Sequence, residues 1–469
     1  MRKVFFIFLL LLPSCTIGPD YQEKNVFENT QIAQSLQLKS TGLKISDIWY
    51  LDFKDDNLNT LIAKALNSNT DVLSAIEKLR QARTLYKIAE VQYLPMLNAS
   101  SGYDYTKASK NIGPSADTDY YSLGFDASWE VDIWGKGRRL NEQKKAEFDS
   151  AYYSLQNIKN VITAEVANTY FTLKTLEAQK NIALHNLKLQ QDIFKTLQEK
   201  YNSGITDESA YRQSAYLVQK TKSLIPALET QIQAQKNALA VLTGNLPNTI
   251  DSLLQTPKNP IDKAYHYHIK NLTDLPADII RTRPDVKAAE KAMVSQNAVI
   301  GQAVAALYPS ISLSTLFAFQ ATNMSDLIKS SSQAYAYNPS AVLPIFHWGA
   351  LQNAVNLEKE KMAEVYQNYR KTLLTSVEEL SNAIFALKNE YQTNRAARNG
   401  AYNMEKAYLA MKEKYDSGLI EYASLLETQQ DLLQAQTALA KSNGAIYTKI
   451  IAFYKATGGG YNAISDSYD

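Results

Sequence analysis

Cysteine is nearly missing from this chain. One residue, Cys15, stands among 469, so neither an internal disulfide nor a cysteine-rich zinc site can form. Glycine and proline number only 17 and 13, which excludes collagen-like and low-complexity classes. Charge of one sign is lacking as well. The 49 Lys+Arg against 47 Asp+Glu leave a net +2, too balanced for an electrostatic hold on nucleic acid. After residue 15 no run of about 18 apolar residues occurs, so a spanning α-helix is excluded. A β-barrel is not, because its alternating strands leave mean hydropathy unremarkable. Histidine is scarce too: His185, His266, His268 and His347 are the only four. His266-x-His268 has no cysteine or spaced third histidine near it. No phosphate loop, nucleophile elbow or zinc-protease helix motif appears. The expectation is a protein that is not an enzyme and carries no cofactor or metal.

What is present begins with an address. Arg2 and Lys3 precede nine apolar residues, Val4 to Leu12, and then Pro13-Ser14-Cys15. A basic start and a short apolar core make residues 1–14 a secretory signal peptide. Leu12 and the small Ser14 before Cys15 resemble a bacterial lipoprotein box, although Pro13 is unusual there. Cys15 would then be the lipidated first residue of the mature chain, stably anchored by more than one acyl chain. The alternative is an ordinary cleaved signal with an incidental cysteine.

The chain is also written twice. Asp71-Val72 matches Asp285-Val286, Pro95 matches Pro309, and Trp134-Gly135 matches Trp348-Gly349. Glu199-Lys200-Tyr201-x-Ser203-Gly204 matches Glu413-Lys414-Tyr415-x-Ser417-Gly418, and Thr243-Gly244 matches Thr457-Gly458. Every pair is separated by one and the same offset, with no net gap between landmarks. Two tandem repeats follow, 57–244 and 271–458, joined by a connector at 245–270. An N-terminal arm at 15–56 precedes them and a tail at 459–469 follows.

Each repeat has the same order of elements. Ser68-x-x-Asp71 and Thr282-x-x-Asp285 have the spacing of capping boxes that open a helix. Strands are expected at about 96–106, 120–132, 310–320 and 337–346. From 121 to 132 the alternation is strict. Tyr121, Leu123, Phe125, Ala127, Trp129 and Val131 face one way, and Asp126, Glu130 and Asp132 lie among the polar residues facing the other. A helical pattern then runs from about 140 to Gly204, and again from about 352 to Gly418, where glycine ends each helix. The outward helix, roughly 63 residues, spans about 95 Å and the returning helices about 91 Å, so the circuit closes with Gly204 and Gly418 at hairpin tips. Four strands cannot close a barrel, and an open edge cannot sit in lipid. Two chains would give eight strands with a filled interior; three give twelve, the smallest assembly with a lumen.

These residues carry a resemblance to the outer-membrane efflux factors of the TolC superfamily, in the lipoprotein branch that works with resistance-nodulation-division pumps. It covers nearly the whole mature chain. The carrying segments are Cys15-Thr16-Ile17-Gly18-Pro19-Asp20-Tyr21, Ser128-Trp129-Glu130-Val131-Asp132-Ile133-Trp134-Gly135, Arg283-Pro284-Asp285 and Tyr308-Pro309-Ser310-Ile311-Ser312-Leu313. Leu343-Pro344-Ile345-Phe346 fits also, whereas His347-Trp348-Gly349-Ala350 departs from the usual Asp-Gly-Gly-Arg type of run. The resemblance implies a mixed α and β membrane protein: a homotrimer with a 12-stranded transmembrane β-barrel, four strands per chain, continued by a long periplasmic α-helical barrel. It implies a Gram-negative outer-membrane location, a periplasmic adaptor and an inner-membrane pump as partners beside outer-membrane lipid, and no nucleic acid.

Site expectations follow. Asp126, Glu130 and Asp132 line the lumen of the strands. Trp129 and Trp134 lie at the membrane interface or, for Trp134, pack against the helices. The tips, with Tyr201, Gly204, Tyr415 and Gly418, either dock the adaptor or are plain helix turns. The resemblance places a periplasmic gate just after the second tip, with Glu427 on one common acidic position and Ser424 replacing another. Helical spacing sets Ser424, Glu427 and Asp431 opposite a leucine stripe, either as a lumen ring that binds cations and resists anions or as a solvated outer face. The functional reading is a passive exit duct for drugs or other toxic compounds. A type I secretion conduit and a non-conducting coiled-coil lipoprotein are the alternatives.

Overall fold

The computed structural model describes residues 16–23, 26–38, 48–107, 109, 111, 117–254, 275–276 and 278–459. The chain divides into two compact units. One comprises Met1–Lys24, Lys78–Tyr152 and Ala288–Arg370; the other comprises Asn25–Glu77, Tyr153–Lys287 and Lys371–Asp469. The elements in order are α1 Asn29–Ser35, α2 Asp56–Ser68, α3 Thr70–Val91, β1 Met96–Thr106, β2 Thr118–Val131, α4 Lys136–Asn202, α5 Glu208–Leu242, α6 Ile279–Thr282, α7 Pro284–Ala305, β3 Ser310–Ala321, β4 Gln333–Val342, α8 Ala350–Asp416 and α9 Tyr422–Ala456. Helices α3 and α7, α4 and α8, and α5 and α9 are equal in length pair by pair, each displaced by the offset that separates the sequence landmarks. The 67 residues of α4 and of α8 correspond to about 100 Å of helix.

The first unit holds the sheet. Its four strands pair antiparallel in the order β1-β2-β3-β4. Phe125 stands between Ala99 and Phe317, and Phe317 faces Tyr335. One face therefore collects Leu97, Tyr103, Leu123, Phe125, Phe317 and Tyr337, all exposed in the single chain. The other face carries Asn98, Ser122, Asp126, Ser128, Ser312 and Ser314. A Cβ on Gly124 would lie 2.5 Å from the Phe317 carbonyl oxygen, so β2 and β3 approach there too closely for a side chain. Both outer strands have a free edge, and every residue of β1 is exposed.

Strand β4 corrects the expected boundary of 337–346: it runs Gln333–Val342, starting and ending earlier. The cause is its partner. β3 begins at Ser310, opposite Val342, and supplies nothing for residues 343–346 to pair with. The proposed Ser68 cap is also displaced by one residue. Asn69 Oδ1 accepts the amides of Asp71 and Val72, at 2.9 and 3.3 Å, while Nδ2 donates to the Leu242 carbonyl.

The second unit is helical. Leu58, Leu61, Ile62 and Ala65 of α2, at helical spacing, are fully buried. Asp55 caps α2 through the Leu58 amide and accepts a 2.8 Å bond from the Tyr170 hydroxyl. Trp49 stacks on Tyr454 at 5.0 Å, and Phe171 stacks on Tyr447 at 4.3 Å. Arg283 is 6% exposed; it grips Asp285 with two nitrogens, Glu379 at 2.7 Å, and the Ala456 carbonyl at 2.8 Å. Ala456 lies at the same constant offset from Leu242, whose carbonyl Asn69 holds, so α5 and α9 are tied off at matching points. Among the described residues no helix is long and apolar enough to cross a membrane.

Candidate functional site

Two places concentrate the residues singled out above. The first is the junction where β2 runs into α4. Val131 ends the strand, Gly135 turns the chain with φ +81°, and α4 starts at Lys136. Asp132, expected beside Asp126 and Glu130 on the polar side of the strand, lies just past the end of β2 and has a local role. Its carboxylate accepts the amides of Gly137 and Arg138 at 3.0 Å and pairs with the Arg138 guanidinium at 3.2 Å, so it caps the first turn of α4. Just before a helix, alternation and capping compete for a carboxylate, and two unsatisfied amides win. Asp126 and Glu130 do lie on the polar face. Asp126 accepts from Asn98 at 3.0 Å, and the exposed Glu130 pairs with Lys136 at 3.3 Å.

The junction tryptophans are pinned by their indole nitrogens. Trp129 donates to the Tyr93 carbonyl at 3.0 Å, and Trp134 to the Pro309 carbonyl at 2.7 Å with its ring 5.0 Å from Tyr308. A cavity of about 290 Å³ opens beside them, lined by Trp134, Lys136, Tyr308, Pro344 and His347 among others. Aromatic rings with a polar edge and a lysine suit a boundary between apolar and wet surroundings.

The N-terminal segment is held to this junction. The Ile17 amide donates to the Trp134 carbonyl at 3.0 Å, and Thr16 packs on Gly135. Buried Arg139 binds Asp20 at 2.8 Å and Glu142 at 2.7 Å. Gly18 crosses Gly301 so closely that a Cβ on Gly18 would sit 2.6 Å from the Gly301 Cα. Cys15 itself lies outside the described residues, but its neighbour Thr16 is fixed at the strand end.

The second place is the pair of hairpin tips. Gly204 and Gly418 adopt φ +71° and +74°, and the amides of Ile205 and Leu419 reach back to the carbonyls of Lys200 and Lys414 at 2.8 and 2.9 Å. Both are the left-handed helix ends that glycine permits. Asp207 then caps α5 through the Ala210 amide at 2.7 Å. The tip tyrosines pack against other rings. Tyr201 stacks on Tyr211 at 5.0 Å, and Tyr415 packs edge-on to Tyr422 in a cluster with Leu197, Tyr408, Leu425 and Leu432. Burial pushes the hydroxyls of Tyr415 and Tyr422 above the ordinary tyrosine range. The groups presented outward are Ile205 and Leu419, each about three-quarters exposed. Their signal in the sequence was an apolar residue directly after each tip glycine.

Along α9, Leu425 and Leu432 are buried while Ser424, Glu427, Asp431, Gln434, Ala438 and Lys441 are exposed, a stripe at steps of three and four. Glu427 and Asp431 take part in no ion pair among the described residues. Among those residues there is also no cluster of three or more potential metal ligands.

An antiparallel sheet with one apolar face, in a chain that also carries two very long helices, is the fold shared with solved outer-membrane channels. The family described as "Outer membrane efflux protein" matches residues 61–245 and 275–459, and the chain belongs to it. It is 26% identical over 468 residues to the cation efflux system protein CusC of Escherichia coli O6:H1, covering 97% of this chain and 98% of that one. It is likewise 26% identical to the toluene efflux pump outer membrane protein TtgI of Pseudomonas putida, with 97% of each chain covered. The Campylobacter jejuni CmeC outer membrane channel superposes with a TM-score of 0.85 at 26% identity, over 97% of this chain and 96% of that one. The protein is thus an outer-membrane efflux channel with a periplasmic extension.

Proposed function

We propose that three copies form the exit duct of a tripartite efflux system, built on two tandem repeats per chain. The observation that carries this reading is the sheet itself. It has an apolar face that lipid would cover, a polar face, and two unpaired edges that lipid cannot tolerate. Three sheets joined edge to edge make a twelve-stranded barrel, with Asp126 and Glu130 on the lumen side. The constant offset between matching helices and the double family match support the repeats.

In this reading the long helices of the three chains continue the duct into the periplasm. Ile205 and Leu419 are the apolar knobs on which an adaptor docks, while Gly204 and Gly418 shape the turns. Ser424, Glu427 and Asp431 face the lumen, where threefold symmetry turns each carboxylate into a ring of three. Acyl chains on Cys15 enter the membrane next to Trp134 and Trp129. The duct is passive: drugs or other toxic small molecules are driven through it by an inner-membrane pump of the resistance-nodulation-division type.

Single-channel recording of the purified oligomer in a planar bilayer tests this. Small, brief openings that lengthen and grow in Glu427→Ala are expected. Openings unaffected by that substitution would remove Glu427 from the gate and leave the duct standing. Silence from a verified, membrane-inserted oligomer would overturn the duct.

A further inference from the structure

The β2–β3 joint inside one chain can be compared with the two edges, β1 and β4, that this chain leaves open. Inside the chain β2 pairs with β3, placing Ala127 opposite Thr315, Trp129 opposite Leu313 and Val131 opposite Ile311. By the constant offset, β4 is the counterpart of β2, and β1 is the counterpart of β3. If the outer edges meet as the inner ones do, Ala341 falls opposite Ser101 of the next copy, Leu343 opposite Ala99, and Ile345 opposite Leu97.

Three observations on the unpaired side fit that register. First, β4 is short. Its counterpart β2 runs on to Val131, where only β3 pairs with it, whereas β4 stops at Val342. The residues missing from the strand are the three whose partners would belong to another copy. Second, the continuation is apolar and bare: Ile345 is 87% and Trp348 88% exposed, and the exposed Phe346 packs edge-on to Trp348. Trp134, the counterpart of Trp348, is instead pinned to the Pro309 carbonyl against Tyr308. Third, the matching receptor exists. Pro95 and Leu94 are the counterparts of Pro309 and Tyr308, and Leu94, Met96 and Leu97 are all exposed. Trp348 also has a φ of +52°, a left-handed backbone rarely adopted by a bulky residue, and Trp134 does not.

We propose that β4 extends to Ile345 on β1 of a second copy in this register, and that the Trp348 indole closes the joint by donating to the Pro95 carbonyl of that copy. This rests on the trimeric reading and adds the register and the clasp. The occupant is another copy of this chain because β1 and the 343–348 segment complement each other as β3 and the 129–134 segment do.

Disulfide trapping in outer-membrane vesicles from cells making the full chain is the test. Ala341→Cys with Ser101→Cys pairs the expected residues, whose Cβ atoms would be about 4.5–5.5 Å apart. Ala341→Cys with Leu97→Cys tests a slipped register. Each single-cysteine variant controls for Cys15. Oxidation is expected to link chains into dimers and trimers for the matched pair alone. Linking by the slipped pair instead would overturn the register, as would no linking by either in a particle of trimeric mass; both leave the trimer standing. A particle of monomeric mass would overturn the trimeric reading itself. For the clasp, acrylamide quenching is compared between the natural chain and Trp348→Phe. The Trp348 contribution is expected to be severalfold harder to quench in the assembled particle than free indole. Quenching equal to free indole in a verified trimer would refute the clasp alone.

Discussion

Replacing Gly18 by alanine should release the segment that leads to Cys15. Gly18 has φ +97°, so any other residue there costs about 1–3 kcal/mol of backbone strain. The new Cβ would also lie 2.6 Å from the Gly301 Cα, a backbone atom that cannot swing aside, adding about 1–3 kcal/mol. Against this stand four hydrogen bonds, Ile17 to Trp134 at 3.0 Å, Asn297 to Pro19 at 2.8 Å, and two long ones of 3.4 Å from Arg139 to the Ile17 and Gly18 carbonyls, worth about 0.5–1.5 kcal/mol each. The Arg139–Asp20 pair adds little, since Asp20 is 90% exposed and water screens it. Cost and hold are comparable, so the released state becomes well populated. Hydrogen exchange read by mass spectrometry on peptides covering 16–23 should be at least tenfold faster in Gly18→Ala, about 1.4 kcal/mol of lost protection, with the strands unaffected. Unchanged exchange in 16–23 would refute the argument that backbone contact at Gly301 fixes this segment.

The same chemical change at two other glycines should act in opposite directions. Gly444 in α9 faces α4, and a Cβ there would overlap the Thr175 side chain, so Gly444→Ala should destabilise despite the roughly 1 kcal/mol helix gain. Gly400 in α8 is exposed with nothing within 4 Å, and Gly400→Ala should stabilise by roughly 0.8–1 kcal/mol. Urea unfolding checks both, and shifts of the same sign would defeat the contact argument. Glu358 gives a pH prediction. The Lys361 ammonium at 2.8 Å, with help from Gln296, holds its carboxyl below the ordinary range. A lowered folded value contributes stability above the unfolded pKa that is lost as pH falls through the folded one. The stability advantage over Glu358→Gln should therefore be full at neutral pH, begin to fall near the ordinary Glu pKa of about 4.3, and vanish only below the lowered folded value. A difference independent of pH would show that the carboxylate's charge is not what matters.

Much of the fold was legible because its signals are local. The strict alternation of 121–131 places β2 with its faces correct. The uninterrupted helical pattern after 140 needs only Gly135 to start it and Gly204 to stop it. Where the reading slipped, two local rules shared one residue or the deciding partner was remote. Asp132 fits both an alternating strand and a helix cap, and only the amides of Gly137 and Arg138 decide between them. Asn69 takes the cap from Ser68 because its amide also reaches the carbonyl of Leu242, far along the chain. The crossings of Gly18 with Gly301 and of Gly444 with Thr175 left no periodic trace at all.

The candidate site follows a related logic. Groups whose partner lies in the same chain disappear into it, as Trp134 and Tyr415 do. Groups whose partner is another molecule stay visible as exposure that one chain does not explain. In the proposed reading, Ile205 and Leu419 beyond the tip glycines, the Glu427–Asp431 stripe and the Leu343–Trp348 segment are of that second kind. At the Leu343–Trp348 segment the residues at the constant offset, Trp129, Val131 and Trp134, are partly covered, whereas Ile345 and Trp348 are almost bare. Where one stretch is covered and the stretch at the constant offset is bare, as at 343–348, the missing cover is predicted to come from a second copy; at the tips both are bare, and the predicted cover is an adaptor.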